Sequence, residues 1–462
     1  MSQSVFSSLK LQPALLSNLE SLGYLSMTPI QEQSLPHVLD GMDVIAQAKT
    51  GSGKTAAFGL GLLEALDPKR FRIQSLVLCP TRELADQVAK ELRRLARAIQ
   101  NIKIATLCGG MPLGPQIGSL EHGAHIVVGT PGRIEEHLRK RTLDLGDLNI
   151  LVLDEADRML DMGFQDSLDA IIRCMPKQRQ TLLFSATYPE QIDAMAQRVM
   201  KKPVMVHVES THDNTSIRQL FFKFEQNKHR LTALRLLLLK YRPGSTLVFC
   251  NTRRETEEVA DELRSDGFSA LALHGDLEQR ARDQTLVRFA NKSASILVAT
   301  DVAARGLDID TLDAVINYHL ARDVEVHTHR IGRTGRAGSK GLALTLFSEK
   351  EGYKIERLEE YLQQKIETED LPPYNLLEKP GYKAPMATLQ IDGGKRQKVR
   401  PGDILGALTG KNGIAGKQVG KIDIFDNCSY VAVLREAARP ALRKLSDGKL
   451  KGRSFRVRRI SG

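Results

Sequence analysis

Short apolar runs alternate with helix-period segments along most of this chain, and this alternation limits the possible folds more than any other feature. Between residues 43 and 206 the runs read DVIAQA, SLVLCP, IATLCGG, HIVVGTP, ILVLDEAD and TLLFSAT. Runs that end in Gly, Pro, Thr or Asp are typical of parallel strands, and the segments between them are typical of crossover helices. We therefore predict an α/β domain with a parallel sheet over residues 1–208.

The same pattern returns after a polar segment at residues 209–216. The later runs are IRQLFFKF, TLVFCN, SALALHGD, SILVAT, AVINYHL and GLALTLF, which predict a second parallel-sheet domain over residues 217–370. Proline and glycine interrupt regular structure over residues 371–384, which we interpret as a linker. Residues 385–462 follow a βαββαβ order, the plan of RNA-recognition motifs.

The distribution of charge separates the C-terminal segment from the rest of the chain. The net charge is +11, and from Lys383 to Gly462 there are 18 Lys and Arg against 6 Asp and Glu, so all of the excess lies there. A basic block of this kind is typical of a module that contacts polyanions, although a basic face can also serve solubility alone.

Composition excludes several classes of protein. Hydrophobic residues make up 42% of the chain and charged residues 26%, close to globular averages, so a disordered or fibrous chain is excluded. No apolar stretch approaches the roughly 18 residues of a membrane span, and the opening segment lacks the features of a signal peptide, so we expect a cytoplasmic protein. Its cysteines lie far apart, which predicts small buried side chains rather than disulfides or a zinc site. They are Cys79, Cys108, Cys174, Cys250 and Cys428.

The segment AKTGSGKT follows one apolar run and precedes a helix-like stretch. Its backbone N–H groups can surround a β-phosphate, the Lys54 ammonium can reach the β and γ oxygens, and the Thr55 hydroxyl can bind Mg²⁺. The alternative is an ordinary glycine-rich turn. The segment predicts a nucleoside triphosphate site at Ala48, Thr50, Gly51, Ser52, Gly53, Lys54 and Thr55.

Two carboxylates end the run ILVLDEAD. At this position Asp154 can hold Mg²⁺ through water, and Glu155 can orient and deprotonate the attacking water. Two carboxylates after a strand can otherwise simply begin a helix. Together with AKTGSGKT, they predict a nucleoside triphosphatase.

These motifs, in this order, resemble those of the DEAD-box RNA helicases from Phe6 to about Phe347. The four letters of the family name stand here as Asp154, Glu155, Ala156 and Asp157. The resemblance implies that both parallel-sheet domains are RecA-like and that Lys54, Asp154 and Glu155 are catalytic.

The same resemblance assigns roles to residues that are not distinctive by themselves. It implies that Phe6 stacks on adenine and that Gln31 reads the hydrogen-bonding edge of adenine, which makes ATP the nucleotide. It also implies that Ser185 and Thr187, in SAT, couple hydrolysis to strand separation. Considered alone, Phe6 could be a core residue, Gln31 a polar surface residue and SAT a strand end.

The second domain carries the motif HRIGRTGR. By resemblance, one or both of Arg333 and Arg336 are arginine fingers that neutralise charge on the γ-phosphate, and Asp308 contacts the ATP ribose. Because the fingers and the phosphate loop belong to different domains, we expect hydrolysis to require domain closure, favoured by ATP and RNA together.

The resemblance also implies contacts with the RNA backbone. Gly exposes N–H groups to phosphates, Thr donates a hydroxyl and Arg makes forked bonds, so these contacts carry no base information. Each residue alone could be a turn or a surface cation. The set is Pro80, Thr81, Arg82, Gly109, Gly110, Thr130, Pro131, Gly132, Arg133, Thr252, Arg253, Gly275, Gln279, Arg282, Thr300 and Asp301.

The basic C-terminal segment is similar to the appended RNA-binding domain of bacterial DbpA-type members of this family. Candidate RNA contacts there are Lys395, Arg396, Lys398 and Arg400. RNA-recognition motifs usually stack bases on aromatic residues of the central strands, but near SYVAV only Tyr430 is offered. We therefore expect recognition by basic loops and edges; the alternative is a stability domain with a solubilising face.

The resemblance implies an RNA-stimulated ATPase that unwinds short RNA duplexes with ATP and Mg²⁺ as cofactors. It also implies that the C-terminal domain directs the enzyme to a hairpin of large-subunit (23S) ribosomal RNA in pre-ribosomal particles during large-subunit assembly. Alternatives are an ATP-gated RNA clamp or scaffold with little unwinding, and a DNA helicase. We expect a monomer.

Overall fold

The computed structural model describes residues 4–48, 51–208, 217–225, 229–304, 312–335 and 340–460. The polar segment 209–216 therefore lies outside the described residues. The chain divides into two compact units near residue 211.

The first unit contains a parallel sheet of seven strands. They are β1 (Val44–Gln47), β2 (Ser75–Leu78), β3 (Ile104–Leu107), β4 (Ile126–Gly129), β5 (Ile150–Asp154), β6 (Gln180–Ser185) and β7 (Val204–His207), in the sheet order β3-β4-β2-β5-β6-β1-β7. The helices are α1 (Pro13–Ser21), α2 (Pro29–Leu39), α3 (Lys54–Glu64), α4 (Arg82–Leu95), α5 (Leu113–Glu121), α6 (Pro131–Arg139), α7 (Ala156–Asp161), α8 (Gln165–Arg173) and α9 (Glu190–Val199).

Both faces of this sheet are buried, which explains the nearly continuous apolar runs in its strands. Val152 of β5 belongs to the core under α1 to α4, whereas Leu151 and Leu153 belong to the core under α6 to α9. The sheet therefore presents its functional residues where the strands end, at their carboxyl edge.

The second unit begins with another parallel sheet of seven strands. They are β8 (Ile217–Phe224), β9 (Thr246–Cys250), β10 (Ala270–Leu273), β11 (Ile296–Thr300), β12 (Ala314–Asn317), β13 (Gly341–Ser348) and β14 (Thr368–Glu369), in the order β10-β11-β9-β12-β13-β8-β14. The helices are α10 (Arg230–Tyr241), α11 (Arg253–Ser265), α12 (Gln279–Ala290), α13 (Asp301–Ala304), α14 (Val324–Ile331) and α15 (Gly352–Leu362).

The same unit continues into an antiparallel sheet of four strands. They are β15 (Met386–Ile391), β16 (Val419–Ile424), β17 (Ser429–Leu434) and β18 (Val457–Arg459), in the order β16-β17-β15-β18, with β15 and β17 in the centre. Helices α16 (Pro401–Thr409) and α17 (Ala438–Asp447) cover one face of this sheet. The chain order is βαββαβ, so the predicted fold class is confirmed.

The proline- and glycine-rich segment packs on the second parallel-sheet domain rather than spanning free space. It contains one 3₁₀ turn, Tyr374–Glu378, and its Leu376 and Tyr382 pack against the core beside α10. The ring of Tyr382 meets that of Phe268 edge-on, with centroids 5.3 Å apart. Interpreting this segment only as a linker misses this packing.

Two further differences from the sequence-based expectations concern the strands at the sheet edges and the burial of the cysteines. Strands β7 and β14 were not expected as strands, because each is short and adds only to the edge of a sheet. Cys174 is exposed, so the prediction of a buried side chain is wrong for it, whereas Cys79, Cys108 and Cys250 are buried and Cys428 is half-buried.

Among the described residues, no helix is long and apolar enough to cross a membrane.

Candidate active site and nucleic-acid interface

The phosphate-loop segment joins the end of β1 to the start of α3. Gly51 and Gly53 adopt left-handed conformations, with φ of 84° and 94°, which open the turn in a way that a residue with a Cβ resists. Lys54 begins α3 and is 7% exposed, and its Nζ donates to the Ala48 carbonyl at 2.6 Å. Among the predicted loop residues, Thr50 lies outside the described part of the chain.

Gln31 buttresses this loop from α2. Its Nε2 donates to the Gly53 carbonyl at 3.1 Å, and its Oε1 accepts from the Thr28 N–H at 2.9 Å. A primary amide has two N–H donors and two acceptor lone pairs, so each end of Gln31 retains capacity for one more bond. A Cβ at Gly53 would lie 2.5 Å from this Nε2, so the loop and the amide fit only with glycine there.

Three charged side chains gather beneath the loop. Burial lowers the pKa of Lys54, although the charges of Asp154 and Glu155 oppose this. Burial and the charge of Glu155 raise the pKa of Asp154 to about 7, against the pull of Lys54. Asp154 is 3% exposed. A cation bound beside Asp154 would therefore stabilise the ionised form of this carboxylate, which the charges of the protein alone do not fully stabilise.

Glu155 sits at a strained turn between β5 and α7. Its φ is 53°, in the left-handed region that non-glycine residues rarely adopt. Its Oε2 pairs with Arg158 Nη1 at 2.8 Å, and both side chains are 5% exposed. The backbone conformation and the ion pair together fix where this carboxylate points.

Asp157 connects the DEAD segment to SAT. Its Oδ2 accepts from the Thr187 N–H at 3.0 Å and from the Thr187 hydroxyl at 2.9 Å, while its N–H donates to the Ser185 Oγ at 3.4 Å. Burial opposes ionisation, but Arg158 and the Thr187 bonds outweigh it and hold the pKa of Asp157 below its usual value. These hydrogen bonds join the SAT segment directly to the start of α7.

Phe6 lies in a 3₁₀ turn before α1 and is 4% exposed. Its ring meets the Tyr24 ring edge-on, at 6.1 Å between centroids. In this structure Phe6 packs as a core residue of the first unit, and stacking on adenine stays a prediction.

The predicted RNA contacts of the first unit meet at the carboxyl ends of three adjacent strands, β2, β4 and β3. Gly109 N–H donates to the Thr130 hydroxyl at 3.3 Å. Arg133 donates from both Nη atoms to the Met111 carbonyl at 2.9 Å, and it pairs with Glu136. These bonds join the segment after β4 to the Gly109–Gly110 turn. Also at this edge are Pro80, Thr81 and Arg82 after β2, and Gly110, Pro131 and Gly132 beside Arg133.

The second unit repeats this arrangement at β9, β11 and β10. Arg253, after β9, pairs with Asp276, which follows Gly275 after β10. Arg282 Nη2 donates to the Ala303 carbonyl at 3.0 Å, and the Ala303 N–H donates to the Thr300 hydroxyl at 3.4 Å. Close by in the chain, Thr252 caps α11 and Gln279 begins α12.

Arginines of HRIGRTGR have different environments. Arg330 is 2% exposed and lies over the Phe249 ring of β9 at 4.9 Å, where it also bonds Asp301 at the end of β11. Arg333 is 9% exposed and follows α14. Arg336 and Asp308 lie outside the described residues.

The predicted cations of the C-terminal domain form one exposed segment. Lys395 and Arg396 begin a 3₁₀ turn, Lys398 has a φ of 61°, and Arg400 precedes α16, with all four side chains exposed. This segment is held by backbone bonds, because the Lys395 and Arg396 N–H groups donate to the carbonyls of Phe425 and Asp426.

The helix-free face of the antiparallel sheet is covered by the second parallel-sheet domain. Thr388 and Gln390 lie on this face of β15 and are 1% and 0% exposed. Asn291 Nδ2, just after α12, donates to Thr388 Oγ1 at 2.9 Å, and Gln284 Nε2 donates to Gln390 Oε1 at 3.3 Å. Tyr430, opposite Gln390 on β17, is 2% exposed. The face on which RNA-recognition motifs usually stack bases is therefore occupied by protein, in line with the expected use of loops and edges.

The sequence did not point to Arg158, Arg330 or Asn291. Arg158 and Arg330 stand beside motif residues, but their partners can be found only by folding the chain. Asn291 pairs with Thr388 across 97 residues of sequence. A polar residue on a strand face suggests solvent, so nothing in the pattern indicated this contact.

Comparison with known proteins places these features in a family. Residues 28–195 match a DEAD/DEAH box helicase, residues 228–338 a helicase conserved C-terminal domain, and residues 388–459 a DbpA RNA binding domain. The ATP-dependent RNA helicase DbpA of Escherichia coli is 55% identical over 448 residues, which cover 97% of each chain. The DEAD-box ATP-dependent RNA helicase CshA of Bacillus cereus is 42% identical over 367 residues, 79% of this chain and 70% of that protein.

Solved structures agree with these matches. Dbp5 of S. cerevisiae bound to RNA and ADP BeF3 has a TM-score of 0.72 at 31% identity, covering 80% of this chain and 96% of that one. The chain belongs to the DEAD-box family of ATP-dependent RNA helicases, which are RNA-dependent ATPases, and it ends in a DbpA-type RNA-binding domain.

Proposed function

We propose that this enzyme uses ATP to separate short RNA duplexes near a hairpin of large-subunit (23S) ribosomal RNA during assembly of the large subunit. The observation that carries this proposal is the match of residues 388–459 to the DbpA RNA binding domain, behind a complete helicase core. The covered sheet face and the exposed segment Lys395–Arg400 support recognition through loops and edges. We further propose that it acts as a cytoplasmic monomer on pre-ribosomal particles.

The first unit would supply most of the ATP chemistry. Lys54 would contact the β- and γ-phosphates, and backbone N–H groups of the loop would surround them. Glu155 would take the proton of the attacking water, because its carboxylate is fixed by Arg158. The remaining proposed nucleotide contacts are Phe6, Gln31, Ala48, Thr50, Gly51, Ser52, Gly53, Thr55 and Asp308, with Arg333 and Arg336 as arginine fingers.

The residues present fit a magnesium ion. Mg²⁺ prefers hard oxygen ligands, and Asp154 is a buried carboxylate whose pKa is raised by burial and by Glu155. Asp154, partly through water, and the Thr55 hydroxyl would hold it. The ion would neutralise charge on the phosphate oxygens.

The paired loop clusters at the two sheet edges would hold the RNA backbone. Gly109, Gly110 and Arg133 in the first unit, and Arg253 and Arg282 in the second, would contact phosphates without reading bases. Ser185 and Thr187 would couple this grip to hydrolysis, because Thr187 is bonded to Asp157 of the DEAD segment. We propose that residues 1–208, 217–370 and 385–462 form the three functional domains, with residues 371–384 linking the second to the third.

The deciding experiment measures ATP hydrolysis at fixed salt with no nucleic acid, generic single-stranded RNA, DNA of equal length and large-subunit ribosomal RNA. We expect selective stimulation by ribosomal RNA at low concentration. Equal stimulation by every RNA would contradict the targeting proposal, and equal stimulation by DNA would contradict RNA specificity. Salt is fixed because phosphate contacts make affinity depend steeply on ionic strength.

Truncation separates the core from the targeting domain. Removing the residues after Ala384 should leave RNA-stimulated hydrolysis and abolish the preference for ribosomal RNA. A preference that survives truncation would contradict the role of the C-terminal domain. Strand separation by the intact protein alone would support unwinding, whereas ATP-stabilised binding without separation would indicate a clamp.

A further inference from the structure

A small pocket lies where the antiparallel sheet meets the end of α12. Its volume is about 180 Å³, and three of its lining residues are arginines: Arg288 from α12, and Arg435 and Arg459 from the C-terminal domain. The rest of the lining is Ser293, Met386, Ala387, Thr388 and Ile460, so no acidic side chain lines the pocket. Two different domains therefore contribute cations to one partly open pocket.

The hydrogen-bonding capacity of these arginines is not used up by the protein. Arg288 Nε is buried, and among the described residues it has no hydrogen-bond partner. Arg435 donates its Nε to the Ala384 carbonyl at 2.8 Å, which leaves the other N–H donors of its guanidinium for a further contact. A buried N–H donor without an acceptor costs free energy that a suitable ligand would recover.

The positive charges also repel one another. Burial, with the charges of Arg264 and Arg435, lowers the pKa of Arg288 to about 10. Burial and the charge of Arg459 likewise lower the pKa of Arg435. Like charges that line one partly buried pocket are unfavourable unless an anion joins them.

We propose that this pocket binds one phosphate group of the RNA backbone, held jointly by the second helicase domain and the RNA-binding domain. Arginine is suited to phosphate because its planar fork matches two phosphate oxygens. No aromatic side chain lines the pocket, so the contact is with the backbone and not with a base. We assign this phosphate to RNA because both domains that line the pocket belong to an RNA helicase.

The site has a consequence for the junction between the two domains. The hydrogen bonds of Asn291 with Thr388 and of Gln284 with Gln390 already hold them together. A phosphate bridging Arg288 and Arg459 adds a contact made only when RNA is present. This inference does not depend on which RNA the C-terminal domain selects.

The test compares full-length variants in RNA binding. Arg288→Met and Arg459→Met each remove one pocket charge while keeping an apolar stem, and Arg459 is exposed, so its replacement leaves the fold intact. Arg443→Met, an exposed arginine of α17 on the helical face of the sheet, is the matched control. Affinity for a labelled RNA hairpin with a single-stranded extension is measured over a salt series, with a non-hydrolysable ATP analogue present.

We expect each pocket variant to weaken binding several-fold and to reduce the slope of log affinity against log salt by about one. We expect the double variant to lose little more than either single variant, because both arginines address one phosphate. The slope should stay unchanged in Arg443→Met. Unchanged slopes in both pocket variants would overturn the proposal, and so would an equal loss in Arg443→Met, which would indicate overall charge alone.

A second measurement distinguishes an RNA phosphate from a free anion. Thermal unfolding is followed with inorganic phosphate or chloride at equal ionic strength, with the ATP site saturated by the analogue. Stabilisation of the wild type by phosphate, lost in both pocket variants and accompanied by the changed RNA slope, supports the proposal. The same stabilisation with an unchanged RNA slope would overturn the RNA assignment, because the pocket would then hold a free anion only.

Discussion

Arg330 meets Asp301 through two parallel bonds, from Nε to Oδ1 at 2.6 Å and from Nη2 to Oδ2 at 2.8 Å. Arg330 Nη1 also donates to the His319 carbonyl at 2.7 Å and to Asn317 Oδ1 at 3.2 Å. One buried guanidinium thus ties α14 to the ends of β11 and β12. Because α14 leads directly to Arg333, this ion pair sets where the proposed arginine finger begins.

Replacing Arg330 with Met should destabilise the second unit by about 3 kcal/mol, because it leaves the Asp301 carboxylate without its partner. The measurement is the rate of hydrogen exchange of amides in β11 and α14 of the full-length protein. Arg254→Met is the control, since the Arg254 side chain is 90% exposed and solvent screens its i,i+4 pair with Glu258. Equal effects of the two substitutions would contradict a structural role for Arg330.

Glu155→Gln should keep ATP and RNA binding and lose most turnover. The amide preserves the shape of the side chain near Arg158 but cannot accept the proton of the attacking water. Steady-state ATP hydrolysis and RNA affinity with ATP present are the two measurements, with the exposed Glu190→Gln as the control. Full ATPase activity in Glu155→Gln would refute the assignment of the general base.

Gly53→Ala should weaken ATP binding at least about tenfold, a cost of roughly 1.4 kcal/mol. An alanine at this position would adopt a strained φ. Its Cβ would also displace the Gln31 amide, whose Nε2 lies 2.5 Å from the Cβ position. Gly51→Ala is the control, because Gly51 has a similar φ of +84° with nothing within 4 Å of an added Cβ. If both variants lose the same affinity in nucleotide titrations, strain alone is responsible and the contact with Gln31 is unimportant.

Acid should destabilise the second unit through His327. This side chain is 2% exposed, stacks on Phe221 and donates from Nε2 to Gln219 at 3.4 Å. Burial and the charge of Arg330 lower its pKa to about 4, below the value of about 6.5 in an unfolded chain. Its contribution is therefore fully present above about pH 6.5 and is lost as the pH falls toward 4, by up to about 3 kcal/mol.

The check on this prediction compares wild type with His327→Phe, which keeps a flat ring beside Phe221. Carboxylates that titrate in the same range affect both proteins alike, so the difference between their unfolding curves isolates His327. We expect the difference in free energy of unfolding to change between pH 6.5 and pH 4. A constant difference across this range would show that His327 does not titrate there.

The sequence predicted the parallel sheets well because their strands are buried on both faces. A run such as ILVLD in β5 has few alternatives, and the residues that follow such strands meet at one edge. Edge strands were harder to predict from the sequence. In β7 only Val206 is fully buried, so the strand shows only a weak apolar pattern. Strand periodicity cannot show what a polar residue contacts, which is why the burial of Thr388 and Gln390 was not foreseen.

For the ATP site, the sequence predicted which residues take part but not the contacts that position them. The spacing of Lys54, Asp154 and Glu155 indicated nucleotide chemistry, but not that Arg158 would hold Glu155 in a left-handed turn. The Gln31 amide was assigned to adenine, and the structure shows it bonded to Gly53, a contact 22 residues along the chain. Such details depend on how helices pack beside the sheet, which no local pattern encodes.

Because one face of its antiparallel sheet is covered, the C-terminal domain is docked on the second helicase domain and is not a flexibly tethered module. Because Thr388 and Gln390 are bonded to residues of the second helicase domain, protein contacts and not linker length determine how far a held RNA element lies from that domain. If the C-terminal domain holds a specific RNA element as proposed, the enzyme would then select a duplex by its distance from that element as well as by sequence. A duplex placed one helical turn closer to the held element would meet the same core in the wrong position.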